Sequence, residues 1–247
     1  MSSRRSDWTT VGRSLRRPAH GSGVILERTA FPYSLLAGAA CYRAVQSVLR
    51  RPSARRRFVR ERIAPWPGCR VLDLGCGTGD LIPFLPACEY VGIDGNGAYL
   101  RTARRLFSKG ADFREFDLAA LTPGGLGSFD VIVALGVLHH LDDATATRML
   151  AFAFGSLSPL GRFVSHDPVF ATEQSALSRW LVARDRGRHV RTHETMLGLV
   201  GAAFPHVEAS IVNGNLRVPY TEIEIVARPG HEANGVRVGE RSESCAC

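Results

Sequence analysis

The chain has 247 residues, 45% of them hydrophobic and 22% charged, enough apolar matter to bury one core and too much for a disordered chain. Its formal charge of +8 is uneven: residues 1–70 hold 15 Arg against Asp7, Glu27 and Glu61, and the remainder is net acidic. This pattern speaks against a nucleic-acid-binding face on the main domain, and no apolar run is long enough to span a bilayer.

In chain order, residues 1–30 are expected to form a flexible basic arm without the apolar core of a secretory signal. A solvated arm is the first reading; contact with a polyanion or a membrane surface, or an organellar transit peptide over residues 1–23, are the others. Residues 31–228 read as the folded domain, and 229–247 as a polar tail. Residues 33–50 and 53–63 predict two helices joined at Arg51-Pro52, the second capped by Ser53, and Pro65-Trp66-Pro67-Gly68 breaks the chain.

From Arg70 strands and helices alternate. Val71 to Leu74 predicts a strand that runs into glycines, with a helix beginning over Thr78 to Leu85. A second strand over Tyr90 to Ile93 and a helix over Ala98 to Phe107 follow. Asp112 to Phe116 and Phe129 to Leu135 are the third and fourth strands, the latter continuously apolar after Asp130. Next come a helix over Asp142 to Leu157, a turn at Pro159-Leu160-Gly161, and a fifth strand over Arg162 to Ser165. Helices near 171–184 and 193–203 precede strands over Val207 to Val212 and Glu222 to Ala227. Such alternation implies an α/β fold with a doubly wound, mostly parallel sheet.

The six cysteines form no C-x-x-C pair, and no His stands at metal-ligand spacing from a Cys pair, so no metal is expected. Cys69, Cys76 and Cys88 read as small hydrophobes, Cys245 and Cys247 as part of a frayed end, and the usage fits a reducing cytoplasm.

The densest signal is Asp73-Leu74-Gly75-Cys76-Gly77-Thr78-Gly79-Asp80. Glycines at 75, 77 and 79 permit positive φ and close approach of a ligand. A dinucleotide-binding loop would carry its third glycine one residue later, where Asp80 stands, and Asp73 and Asp80 would repel a pyrophosphate. A ligand bearing an ammonium and a sulfonium suits the acidic pair better. Asp94, at the end of the second strand, is placed to accept hydrogen bonds from ribose hydroxyls. Asp117 either contacts an adenine amino group or caps the turn over Leu118 to Leu121.

Asp73-Leu74-Gly75-Cys76-Gly77-Thr78-Gly79, Gly92-Ile93-Asp94, Asp117-Leu118, Phe129 to Val133 through Leu138-His139-His140, and Leu157 to Arg162 resemble the successive motifs of class I S-adenosylmethionine-dependent methyltransferases. The last motif departs from the family in having Leu160 where a second Gly is usual. The resemblance covers about residues 58–228. It implies a seven-stranded Rossmann-like sheet whose last strand is antiparallel, with a helical N-terminal segment over 31–66. A cofactor-binding half over 69–135 and an acceptor-side half over 136–228 follow from the same likeness. By resemblance, Gly75, Gly77 and Gly79, with Cys76, approach the methionine part of S-adenosylmethionine, and Asp73 reaches its amino group. Asp94 with Gly95 holds the ribose, Asp117-Leu118 the adenine, and Leu135 and Gly136 supply backbone contacts.

The acceptor chemistry is sought after the fourth and fifth strands, on the ligand-binding edge of such sheets. A hydroxyl acceptor must lose a proton, and a His is the side chain suited to take it. His140 is the expected base with Asp167 as its orienter, and His139 and His166 are the substitutes; packing against adenine or capping of the next helix are the structural readings of the His pair. Within the charged segment over 183–192, Arg186 or Arg191 would clamp an anionic acceptor, unless the segment is a solvated loop. Tyr33, Tyr42 and Arg43 would line the pocket or pack on the sheet edge.

The leading function is therefore methyl transfer from S-adenosylmethionine to a small-molecule hydroxyl. The alternatives are an N-methyltransferase that needs no base, or a non-catalytic nucleoside-binding protein of the same fold.

Overall fold

A computed structural model describes residues 51–121, 126–230 and 237–241; the expected arm, the helix over 33–50 with Tyr33, Tyr42 and Arg43, and Cys245 and Cys247 lie outside them. The strands are β1 (Arg70–Leu74), β2 (Glu89–Asp94), β3 (Ala111–Glu115), β4 (Phe129–Leu135), β5 (Leu157–Pro168), β6 (His206–Asn213), β7 (Thr221–Arg228) and β8 (Arg237–Arg241). They make one sheet in the order β3-β2-β1-β4-β5-β7-β6-β8. The first five in that order run parallel, and β7 is antiparallel to β5 and β6. The expected doubly wound sheet is thus present with an eighth strand. Arg237–Arg241, expected in a loose tail, pairs parallel with β6, whose edge offers an unpaired row of backbone donors and acceptors.

The helices are α1 (Pro52–Phe58), α2 (Gly97–Leu106), α3 (Asp143–Ser156), α4 (Ala176–Val182) and α5 (His193–Gly201). None of those described is long and apolar enough to cross a membrane. Helix α3 buries Ala146, Met149, Leu150 and Ala153, a stripe at helical spacing, and Asp142 caps it by accepting from the Thr145 N–H at 2.8 Å. Asn96 caps α2 through Ala98 and Tyr99. Side chains alternate across β1: Leu72 and Leu74 join the core with β4 and α3, whereas Val71 faces the core with α1 and α2.

Three local expectations fail. Ser53 does not cap α1; Pro52 opens it, and a residue without an N–H suits that position. No α-helix follows the glycine loop, only a short 3-10 turn over Ile82–Phe84. Pro83 and Pro86 disfavour the α conformation in the residues before them and remove two helical donors. Strand β5 is also much longer than the expected four residues, so His166 and Asp167 lie inside it and point to opposite faces.

Helix α1 continues into a wider turn over Val59–Ile63. This turn is fastened to the sheet by Arg62, whose Nε donates to buried Glu224 at 2.9 Å and whose Nη2 donates to Ser210 at 2.6 Å; Arg57 stands 3.6 Å from the same carboxylate. Replacing Arg62 with Met should strip a buried carboxylate of its main partner and cost about 3 kcal/mol. Urea unfolding of Arg62→Met beside the parent checks this; equal stability would show that Arg57 alone satisfies Glu224.

Candidate active site

The carboxyl ends of β1, β2 and β4 meet at the glycine loop. Gly75, Gly77 and Gly79 all have positive φ (72°, 55° and 79°). At Gly75 the constraint is also steric, because a Cβ would lie 2.6 Å from Val137 Cγ2 in the turn after β4. At Gly77 a Cβ would meet nothing within 4 Å, so the loop tip borders open space. The loop hangs from β2: the N–H groups of Gly75 and Cys76 both donate to the Ile93 carbonyl, at 2.7 and 3.0 Å. Asp94, 4% exposed, accepts from the N–H of Gly77 at 2.8 Å and of Asn96 at 2.7 Å.

Asp73 is buried on the α1 side of β1 and accepts from the Tyr90 hydroxyl at 2.7 Å. Burial raises its pKa to about 7, against the opposing Tyr90 hydrogen bond and the Arg55 charge. Its negative charge at neutrality is therefore partial. The Cys76 thiol lies buried against Gly92, and burial with the Asp73 and Asp94 charges pushes its pKa up, so it is no nucleophile.

A 3-10 turn over Leu138–His140 follows β4. His139 is 5% exposed and sits between two carboxylates, with Nδ1 2.8 Å from Asp167 and Nε2 3.2 Å from Asp185. Burial pulls its pKa down, but the hydrogen bonds and charges of Asp167 and Asp185 outweigh that and raise it to about 9. His139 is thus an imidazolium at neutral pH, with an N–H for each carboxylate. His140, its ring centroid 4.0 Å away, goes the other way: burial and the His139 charge lower its pKa to about 3. Its buried Nδ1 has no hydrogen-bond partner among the described residues.

Residues 72–163 match the family model described as "Methyltransferase domain". The ubiquinone biosynthesis O-methyltransferase of Hahella chejuensis is 37% identical over 91 residues, which are 35% of this chain and 38% of that protein. Among solved structures, a TehB-like SAM-dependent methyltransferase from Corynebacterium glutamicum superposes with TM-score 0.58 at 19% identity, over 78% of this chain and 96% of that one. The mitomycin 7-O-methyltransferase MmcR gives 0.57 at 15% identity, over 77% of this chain and 56% of that one. Residues 72–163 are thus a methyltransferase domain, and the described fold is shared with solved S-adenosylmethionine-dependent methyltransferases. The matched stretch spans well under half of the Hahella protein.

Within the methyltransferase domain, the expected cofactor residues gather along one edge: the glycine loop with Cys76, then Asp94, then Gly95, exposed at the mouth. Leu135 is half-buried beneath Gly136, whose N–H donates to the His166 carbonyl at 2.7 Å. Leu118 is a core residue, 3% exposed, and Asp117 begins a 3-10 turn in which its carbonyl accepts from Ala120.

The expected catalytic set divides. Asp167 orients His139, not His140, accepting from both its ring and its backbone N–H. His139 has no open nitrogen with which to serve as a base. His166 faces the α1 side, 3.1 Å from Glu222 and packed on Phe58, away from the His139 pair. Arg191 is not an anion clamp. It is buried and donates to the carbonyls of Leu138 and Leu141, each at 2.7 Å, and to Asp143 at 2.7 and 2.9 Å. The charged segment over 183–192 is therefore tied down at Asp185, Gly187 and Arg191 while Arg184 and Arg188 stay exposed, and the His189 N–H adds a bond to the His139 carbonyl at 2.9 Å. Arg186 lies half-buried beside His140, where its charge helps to keep that ring neutral.

Sequence reasoning assigned no role to Asp185, Gly187 or Tyr220. Gly187 is a legible trace after the fact: a Cβ there would collide with the His139 ring and carbonyl, at 2.1 and 2.5 Å.

The His139 pKa fixes a pH signature. A group raised from 6.5 in the unfolded chain to about 9 contributes stability that is whole below pH 6.5 and lost as pH climbs to about 9. The thermal midpoint should fall across that window in the parent, and His139→Gln should remove most of the slope. A parent midpoint that is flat from pH 6.5 to 9 would contradict the ion pair.

Proposed function

We propose that this protein transfers a methyl group from S-adenosylmethionine to a hydroxyl of a small molecule. The observation that carries the reading is the glycine loop, open at Gly77 and anchored to the Asp94 carboxylate. In it, Gly75 to Gly79 with Cys76 approach the methionine part, and Asp94 with Gly95 takes the ribose. Asp117 and Leu118 border the adenine, and Leu135 contacts the cofactor through its backbone. An ammonium near Asp73 would favour its ionised form, which burial otherwise disfavours. Without an α-helix behind the loop, the usual attraction for a pyrophosphate is absent, in keeping with this ligand rather than a dinucleotide.

When bound, the cofactor supplies a methyl carbon made electrophilic by its sulfonium. The domain's task is alignment and removal of one proton. His140 is the side chain offered for that proton: it is neutral and only half-buried, at the border of the segment that covers His139. Its low proton affinity suits late transfer, because an oxygen becomes strongly acidic as its new bond to carbon forms. His139 and Asp167 hold the ring pair in place. The name of the Hahella relative supports O-methylation. The acceptor, which the Arg186 charge would help to hold if anionic, is best sought by mass spectrometry of small-molecule extracts for a product one methylene heavier.

Replacing Asp94 with Ala should weaken S-adenosylhomocysteine binding on the order of 30-fold, the equivalent of about 2 kcal/mol of charge-assisted hydrogen bonding. Because Asp94 is buried and holds two loop amides, some stability should be lost with it. Calorimetry decides; unchanged affinity would place the cofactor elsewhere.

With an acceptor found in that screen, His140→Ala should lower turnover roughly 10²-fold while leaving cofactor affinity intact. In the parent, turnover should stay level between about pH 8 and about pH 5, since His140 remains neutral until far lower pH. A rate that halves near pH 6.5, or full turnover in His140→Ala, would remove His140 as the proton acceptor and favour an amine acceptor.

A further inference from the structure

Asp185 follows α4, in a segment otherwise rich in arginine, and its carboxylate is fully engaged. One oxygen faces His139 Nε2 at 3.2 Å and accepts from the Gly187 N–H at 2.7 Å; the other accepts from the Tyr220 hydroxyl. Tyr220 belongs to the connection between β6 and β7, so three separate parts of the chain converge on one carboxylate beside the turn after β4. Gly187 lies so close to His139 that only a residue without a side chain fits, and the His189 N–H closes on the His139 carbonyl. The segment thereby covers His139 and leaves His140, the next ring, at its border.

We infer that Asp185, with Tyr220 behind it, is a positioning residue for the acceptor side of the site: it completes the His139 cradle begun by Asp167 and so fixes the orientation of the His139–His140 ring pair. The inference rests on reading this region as the methyl-acceptor side, with His140 taking the proton.

The physical route is short. His139 is faced by Asp167 from β5, by Asp185 from the covering segment, by His140 from its own turn, and by Arg191, whose guanidinium binds the Leu138 carbonyl; Arg186 and His189 of the covering segment lie near His140. The two carboxylates keep His139 charged, and that charge is the main influence besides burial that keeps His140 neutral. Burial would push the Asp185 carboxyl up, but the His139 hydrogen bond and charge, with Tyr220 and Gly187, hold it well below the usual carboxylate range. Removing the Asp185 charge should therefore lower the His139 midpoint and, because that charge also attracts a proton to His140, leave His140 neutral to still lower pH.

The test needs no acceptor. In imidazole-labelled protein, NMR titration of the parent should place His139 near pH 9 and leave His140 neutral through the accessible range. Asp185→Asn should bring the His139 midpoint down at least tenfold in proton affinity and leave His140 neutral throughout. Tyr220→Phe, which removes one hydroxyl donor and little packing, should move the His139 midpoint by less and upward, because it leaves Asp185 the stronger acceptor, and it carries the test if Asp185→Asn does not fold. A merely structural role would alter stability without moving the midpoints. Unmoved midpoints in folded Tyr220→Phe and Asp185→Asn would overturn the inference. S-adenosylhomocysteine binding, followed by calorimetry, should be the same in parent and variants. If the parent fails to bind it, the functional reading fails, while the titrations still decide what Asp185 does to the histidines.

Discussion

The Ile93 carbonyl at the end of β2 accepts from two successive N–H groups, those of Gly75 and Cys76, and this doubled bond sets the path of the chain after β1. A chain leaving a parallel strand would ordinarily continue outward; here it is drawn sideways over β2, and only positive φ at Gly75, Gly77 and Gly79 allows that course. Asp94 then holds the loop tip through Gly77, and Val137 fills the space that a Gly75 side chain would need. One bend thereby brings the ends of β1, β2 and β4 within reach of a single ligand.

The turn after β4 is held by charge rather than by backbone curvature. His139 lies between carboxylates from β5 and from the segment after α4, and Arg191 gathers two carbonyls of the turn that carries the histidines. Buried ions of this kind cost desolvation and give little net stability, but removal of one partner is expensive. Their benefit here is placement: the covering segment has one seat, and His140 beside it is kept neutral. The two histidines are adjacent in sequence and alike in chemistry, yet their surroundings drive their proton affinities in opposite directions.

The fold was legible where local pattern and global need agree. The apolar run Phe129 to Leu135 and the stripe on α3 are each forced by burial. The stretch from Thr78 to Leu85 misled because its apolar residues suit a helix, while Pro83 and Pro86 forbid one. At the site, glycine spacing and Asp94 carried their own meaning. The partner of Asp167 did not: the sequence holds His139 and His140 side by side, and only the register of β4 on β5, which pairs Leu135 with His166, decides which ring meets the carboxylate. Arg191 and Asp185 were illegible for the same reason, since an arginine-rich segment reads as solvated until the carbonyls and the imidazole it covers are known.

The central claim is that the bend after β1 receives S-adenosylmethionine. The most direct measurement is backbone amide NMR of the full chain titrated with S-adenosylhomocysteine and, separately, with NAD. The account predicts that S-adenosylhomocysteine shifts the amides of Gly75 to Gly79, Asp94 to Asn96 and Gly136, and that NAD leaves them in place. Shifts by NAD at these residues, or none by S-adenosylhomocysteine, would contradict it.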